Sequence, residues 1–362
     1  MKFLVVLLFC FSTVLNASPY IIKNIENASN QESKPSDMNN RNEVVGKLKI
    51  DKESFDFIWS EAAGLRVLPI KQASINASPM INNQGDVAGV YWHVTDYWFS
   101  DNTGTKQIYL VRADGTVKEI PPPKDWKSQV LEASRIKFSF WDDRELDVAG
   151  INDLGQILII HRDSNKKLDA MAIWENDSYQ FIDVADLSNT YGFNNQGIVL
   201  GVKYAKEKAG CKSGTLCTYD PKTKTTKKIA EDVKIFIAGF NDKGQVYYSE
   251  TAAAASCCCS KDFFPTKSWL RENDQSVDLN DFIAVSINNC NQAVGLKLSD
   301  IRNNTPVIFL RDKDELVPVF EQDLGKNTAK GKVNGILQIN DNGAMMGTIK
   351  SDGTNHAIFI SK

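Results

Sequence analysis

One nine-residue segment recurs seven times along this chain, and a repeat of that kind fixes the architecture before any single element is considered. The copies begin at Met38, Ile81, Ile151, Phe193, Phe240, Ile287 and Ile339. In each, an apolar residue is followed by Asn, by Asn or Asp, by one variable residue and by Gly or Asn, before the sequence turns apolar again. Ile81-Asn-Asn-Gln-Gly-Asp-Val-Ala-Gly89 represents the set. Successive starts lie 43, 70, 42, 47, 47 and 52 residues apart. All but one of these spacings sit near the roughly 40–50-residue period of propeller blades.

The motif has the chemistry of a tight hairpin. Its first Asn (Asn39, Asn82, Asn152, Asn194, Asn241, Asn288 and Asn340) can fold back onto the backbone two residues on as an Asx turn. The Gly that follows occupies the place where a type I turn with a G1 bulge demands a left-handed backbone. Gly85, Gly155, Gly197, Gly244 and Gly343 fill it in five copies. Asn42 and Asn291 fill it in the other two, and Asn is the next most tolerant residue at positive φ.

After each turn comes an apolar strand and then a second one rich in aromatic or aliphatic residues, such as Phe55-Asp-Phe-Ile-Trp59 or Pro306-Val-Ile-Phe-Leu310. In six copies a polar turn and a short fourth strand follow, as at Leu65-Arg-Val-Leu68, Val117-Lys-Glu-Ile120 and Leu316-Val-Pro-Val319. The seventh copy stops after its third strand, and Tyr20-Ile-Ile-Lys-Asn-Ile25 has the character needed to supply the fourth. The pattern predicts an all-β, seven-bladed β-propeller of four-stranded antiparallel blades, its ring closed by the N-terminal strand. Length alone suggests two or three domains; the period makes the region 18–362 one domain.

These residues resemble the bacterial extracellular repeat family named for its His-Ala-Phe signature, in which an I-N-x-x-G-x-V-V-G segment precedes an H-A-F strand. Asn355-His356-Ala357-Ile358-Phe359 keeps His-Ala and places Ile before Phe, while other copies lack the His. The likeness covers essentially the whole chain after its first residues. It implies an exported β-propeller with no general enzymatic activity.

Met1-Lys2 followed by an apolar run over 3–15 and small residues at Ala17-Ser18 reads as a signal peptide over 1–17. The run is shorter than the roughly 20 residues that a membrane-spanning helix needs. The expected location is therefore outside the cytoplasm, extracellular or in the periplasm and cell envelope, with no membrane span. The chain has 42 basic and 45 acidic side chains, a net charge of −3, so no basic surplus points to nucleic acid. Only three histidines are present, and no G-x-S-x-G, H-E-x-x-H or phosphate-cradling Gly-rich segment appears. We accordingly assign no catalytic residue, cofactor or metal. The calcium-like Asn340-Asp341-Asn342-Gly343 is explained, as in the other copies, by turn geometry.

Function is expected where loops vary in length on a rigid scaffold. The stretches 91–106, 121–146, 205–214 and 250–265 are long, and the four-stranded blade puts all of them on the face opposite the Asn turns. The first two carry Tyr91, Trp92, Tyr97, Trp98, Phe99, Trp126, Phe140 and Trp141, with Asp142, Asp143 and Glu145 beside them. Aromatic rings with carboxylates suit a protein hot spot or stacking on sugar rings. The same rings would also serve as apolar anchors between long loops. Cys211, Cys217, Cys257, Cys258 and Cys259 fall together in blades 4 and 5 and are disulfide candidates in an exported chain, whereas Cys290 sits in a turn on the other face. The leading reading is an exported, monomeric, non-enzymatic binding module for a protein or carbohydrate partner. The alternative is a secreted carbohydrate-active enzyme, a glycoside hydrolase or lyase, using Asp142, Asp143 and Glu145 as acid and base. A structural envelope protein without a specific ligand is the third reading.

Overall fold

A computed structural model describes residues 20–25, 32–51, 53–70, 77–94, 104–121, 145–162, 168–183, 187–204, 213–251, 265–302, 308–313, 315–319, 332–351 and 354–362. Strand β1 (Ile21–Asn24) precedes the first blade, which is β2 (Glu32–Met38), β3 (Val44–Ile50), β4 (Glu53–Ser60) and β5 (Gly64–Val67). Blade 2 is β6 (Met80–Ile81), β7 (Val87–Val94), β8 (Gly104–Val111) and β9 (Val117–Ile120). Blade 3 is β10 (Glu145–Ile151), β11 (Ile157–Arg162), β12 (Leu168–Glu175) and β13 (Ser178–Ile182). Blade 4 is β14 (Asn189–Phe193), β15 (Val199–Tyr204), β16 (Gly214–Asp220) and β17 (Thr225–Val233). Blade 5 is β18 (Ile235–Phe240), β19 (Val246–Thr251), β20 (Pro265–Glu272) and β21 (Gln275–Asp278). Blade 6 is β22 (Phe282–Ile287), β23 (Gln292–Lys297), the short helix α1 (Leu298–Arg302), β24 (Ile308–Asp312) and β25 (Glu315–Pro318). Blade 7 is β26 (Lys332–Ile339), β27 (Met345–Ser351) and β28 (Thr354–Ser361).

Each blade is one antiparallel sheet of four strands in chain order, and β1 supplies the fourth strand of blade 7 by pairing with β28. Ile21 lies opposite Ser361 and Asn24 opposite Ile358, and Ile25 extends the pairing by donating its N–H to the Ala357 carbonyl at 3.0 Å. The expected fold and its closure by the N-terminal strand are therefore both present. No helix among the described residues is long and apolar enough to cross a membrane.

The core follows from the two-residue period of a strand. In β11, Ile157 and Ile159 pack against blade 2, whereas Leu158 and Ile160 pack against blade 4. A blade is thus apolar on both faces, and the buried residues fall into seven clusters, one between each pair of neighbours. Fully burying one such side chain stabilises by about 1.5–3 kcal/mol. The closing strand joins two clusters, with Tyr20 buried against blades 6 and 7 and Ile25 against blades 7 and 1.

The inner strands of six blades carry a β-bulge near the turn, between Pro35 and Asp37, Val148 and Gly150, Thr190 and Gly192, Ile235 and Ile237, Ala284 and Ser286, and Ile336 and Gln338. Bulges bend a strand and re-aim its side chains. Here they precede the repeat turns that encircle the axis of the ring.

Candidate functional site

One asparagine side chain closes each repeat turn from within and ties it to the next blade. The Oδ1 of Asn39 accepts the N–H groups of Arg41 and Glu43, both at 3.0 Å, and its Nδ2 donates to the carbonyl of Asn82 at 3.0 Å. The same bond runs from Asn82 to Asn152, Asn152 to Asn194, Asn194 to Asn241, Asn241 to Asn288, Asn288 to Asn340 and Asn340 to Asn39, over 2.8–3.5 Å. All seven side chains are buried. The place needs an acceptor facing its own turn and an N–H facing the next blade; Asp lacks the donor and Ser the reach. The left-handed residue has φ of 75–88° at its five glycines and 61° and 65° at Asn42 and Asn291.

The next residue of each turn forms a second ring: Asn40, Asn83, Asp153, Asn195, Asp242, Asn289 and Asp341. Each backbone N–H donates to the Oδ1 of the following member, at 2.6–2.9 Å, all the way round. The side chains are also linked, because Asn Nδ2 groups donate to Asp Oδ2 groups. Asn83 and Asn195 converge on Asp153, Asn195 and Asn289 on Asp242, and Asn289 and Asn40 on Asp341, at 2.7–3.0 Å. Donor and acceptor residues alternate, and alternation cannot close on an odd number. The mismatch falls between Asn40 and Asn83, where only the backbone bond remains.

A third tier lies two residues before the first Asn. The Oδ2 of Asp37 accepts the N–H of Ile81 at 2.9 Å, the Oγ of Ser286 that of Ile339 at 3.3 Å, and the Oε1 of Gln338 that of Met38 at 2.8 Å. Gly150 and Gly192 stand at the equivalent places before blades 4 and 5. A Cβ on either would come within 2.9 Å of Phe193 Cβ or 3.1 Å of the Phe240 ring. The two aromatic repeat starts therefore sit beside glycine, whereas at Gly239, before the aliphatic Ile287, the space is taken by the Tyr247 hydroxyl.

These rings enclose a cavity of about 410 Å³ on the axis. Tyr191, Phe193, Phe240 and Tyr247 of blades 4 and 5 line one side, and Asp37, Ser286 and Gln338 of blades 1, 6 and 7 the other. Among the described residues its lining includes four carboxylates, Asp37, Asp153, Asp242 and Asp341, and no Lys, Arg or His. Burial pushes the Asp37 carboxyl up to about 6, outweighing the opposing hydrogen bonds from Ile81, Gln338 and Met38. The arrangement is a negatively charged socket with one aromatic wall.

The loop residues named from the sequence fall mostly elsewhere. Tyr97, Trp98, Phe99, Trp126, Phe140, Trp141, Asp142, Asp143, Cys211, Cys257, Cys258 and Cys259, like the 1–17 segment, lie outside the described residues. Strands β7 and β8 reach Val94 and begin at Gly104, so the connection in blade 2 is shorter than the expected 91–106. Tyr91 is a buried strand residue that packs with Tyr109 between blades 1 and 2 and donates its hydroxyl to Glu119 at 2.5 Å. Trp92 lies in the same strand. Cys217 is buried in the cluster between blades 3 and 4, and Cys290 is exposed on an Asn turn. His161 and His356 are buried strand residues. Val94 and Gly104, Ile120 and Glu145, Tyr204 and Gly214, and Thr251 and Pro265 are the strand ends flanking the four long stretches, all at the end of their blades remote from the Asn turns.

The turns are legible in the sequence; the two side-chain rings and the tier beneath them are not. The signal was present in the second turn residue, which runs Asn, Asn, Asp, Asn, Asp, Asn, Asp around the ring.

No family model matches the chain, and no curated protein matches it. Among solved structures it is similar to the β-propeller domain of the Trilobed protease from Pyrococcus furiosus, with a TM-score of 0.58 at 12% identity over 91% of this chain and 95% of that one. That domain is described as having an open velcro topology, whereas here β1 pairs with β28. It is also similar to YCF48, solved bound to a D1 peptide, with a TM-score of 0.51 at 10% identity over 96% of this chain and 97% of that one. At such identities the likeness shows the propeller fold alone.

Proposed function

We propose that this chain is an exported binding module, a rigid ring that holds a protein or glycan partner on the face remote from its Asn turns. The observation that carries the reading is the gathering of the strand ends of blades 2–5 on that face, at four places where the sequence inserts long segments, two of them rich in aromatic residues. Six aromatic residues (Tyr97, Trp98, Phe99, Trp126, Phe140 and Trp141), with Asp142 and Asp143, belong to the first two segments and supply the contact chemistry. Tyr91, being buried, contributes by supporting β7. YCF48 lends support as a propeller of similar fold bound to a peptide. The His-Ala-Phe repeat resemblance and the apolar N-terminal segment support an extracellular or envelope location.

The test is binding of the purified chain, lacking residues 1–17, to a glycan array and to proteins of an envelope extract. Trp98→Ala with Trp141→Ala should abolish capture while leaving the unfolding transition in place. Capture unchanged in the double variant would exclude this face. Product release from a bound glycan, lost on replacing Asp142, Asp143 or Glu145, would replace binding by catalysis.

A further inference from the structure

We propose that the axial cavity, independently of the loop face, is a binding site for an organic polycation, a molecule with two or more ammonium groups joined by methylene chains. The cavity, at about 410 Å³, lies in the range that takes small molecules. Among the described residues its lining charge is of one sign, since Asp37, Asp153, Asp242 and Asp341 are present without a basic side chain.

Hydrogen bonds fix where the belt carboxylates sit without neutralising them. Asp153, Asp242 and Asp341 each accept three hydrogen bonds from amide groups. An ionised carboxylate has about four such sites, so one acceptor site per residue is left over. None of the three forms an ion pair among the described residues, whereas Asp56, Asp86, Asp177 and Asp274 are paired with Lys47, Arg112, Lys118 and Lys227. The axis therefore carries carboxylates that no described basic side chain pairs.

The spacing of that charge selects the ligand. No group of three or more potential ligands converges to hold a metal ion among the described residues. The belt acids alternate with asparagines around the ring, and Asp37 lies on the cavity wall one tier away. A compact ion meets one carboxylate at a time, while a chain with several ammonium groups meets several. Phe193, Phe240 and Tyr191 line the same cavity and supply aromatic surface for the methylenes and the cations between them. Free polyamines and peptide lysine side chains share this chemistry.

The experiment is calorimetric titration of the chain lacking 1–17 at low salt with spermidine, with trilysine and with magnesium ion. Saturable binding of spermidine alone assigns a free polyamine, and binding of trilysine alone assigns lysine side chains. Binding of both assigns the shared ammonium chemistry. Asp153→Asn, Asp242→Asn and Asp341→Asn should each weaken binding about fivefold, the loss of one nearby charge. Asp37→Asn, which leaves the belt intact, should weaken it similarly, and Asp274→Asn on the outer rim should not. Absence of binding by both amines, tighter binding of magnesium, or equal loss in Asp274→Asn would overturn the proposal.

Discussion

Asn340 donates its side-chain Nδ2 to the backbone carbonyl of Asn39 at 3.0 Å, joining the last repeat turn to the first across 301 positions of sequence. The bond is the same as the one each other turn makes with its successor. The ring is therefore closed twice, by these side chains at the axis and by β1 on β28 at the rim.

The asparagine ring depends on the donor, not on polarity alone. Asn288 donates to the carbonyl of Asn340 at 2.8 Å and to Gln292 Oε1 at 2.9 Å. Asn288→Asp turns both contacts into facing acceptors around a buried charge and should destabilise by about 3 kcal/mol. Urea denaturation checks this, and a variant as stable as the parent would remove the donor argument.

Gly244 has φ of 76° and nothing within 4 Å of the place a Cβ would take, so substitution there reads backbone preference alone. Gly244→Val should cost about 1–2 kcal/mol more than Gly244→Asn, since β-branched residues resist the left-handed region. Comparison of the two midpoints tests it.

At the rim, Ile25 is fully buried between blades 7 and 1, whereas Ile21 in the same closing segment is exposed. Ile25→Ala should destabilise by about 3 kcal/mol, and Ile21→Ala by under about 0.5 kcal/mol. Similar effects at the two sites would show that the closing segment is not held as described.

Asp37 sets a pH dependence whose sign is opposite to that of a salt-bridged carboxylate. Its carboxyl is raised from 3.8 to about 6, so between these values the folded chain holds a proton that the unfolded chain releases. The stabilisation is complete below about pH 4 and is lost as pH rises through 6, by up to about 3 kcal/mol. Asp37→Asn should abolish that slope and be the more stable form at pH 7, which denaturation curves from pH 4 to 8 will measure.

How much was legible in the sequence differs between fold and site. The turns were, because Asn followed by Gly at a fixed offset is a local constraint, and Asn42 and Asn291 substitute where a left-handed residue is needed. The closing strand was also legible, since the seventh copy lacked a fourth strand. The pairing of Asn83 with Asp153 was not, because it joins residues 70 positions apart and appears only once the blades are ordered round an axis. The relation of Phe193 to Gly150 was hidden for the same reason. An aromatic run gives no sign of where a strand ends, so Tyr91 falls inside the expected loop 91–106, whereas β7 continues to Val94.

Moving the mismatch around the belt separates alternation from simple polarity. Asn83→Asp faces Asp153 with a second carboxylate, and Asp153→Asn removes the acceptor shared by Asn83 and Asn195. Together they shift the asparagine pair from Asn40 and Asn83 to positions 153 and 195, with net charge and number of side-chain links unchanged. Each single variant should therefore be destabilised, and the double variant should recover about 1–2 kcal/mol relative to their sum. Additive losses in that double-mutant cycle would contradict an alternating belt.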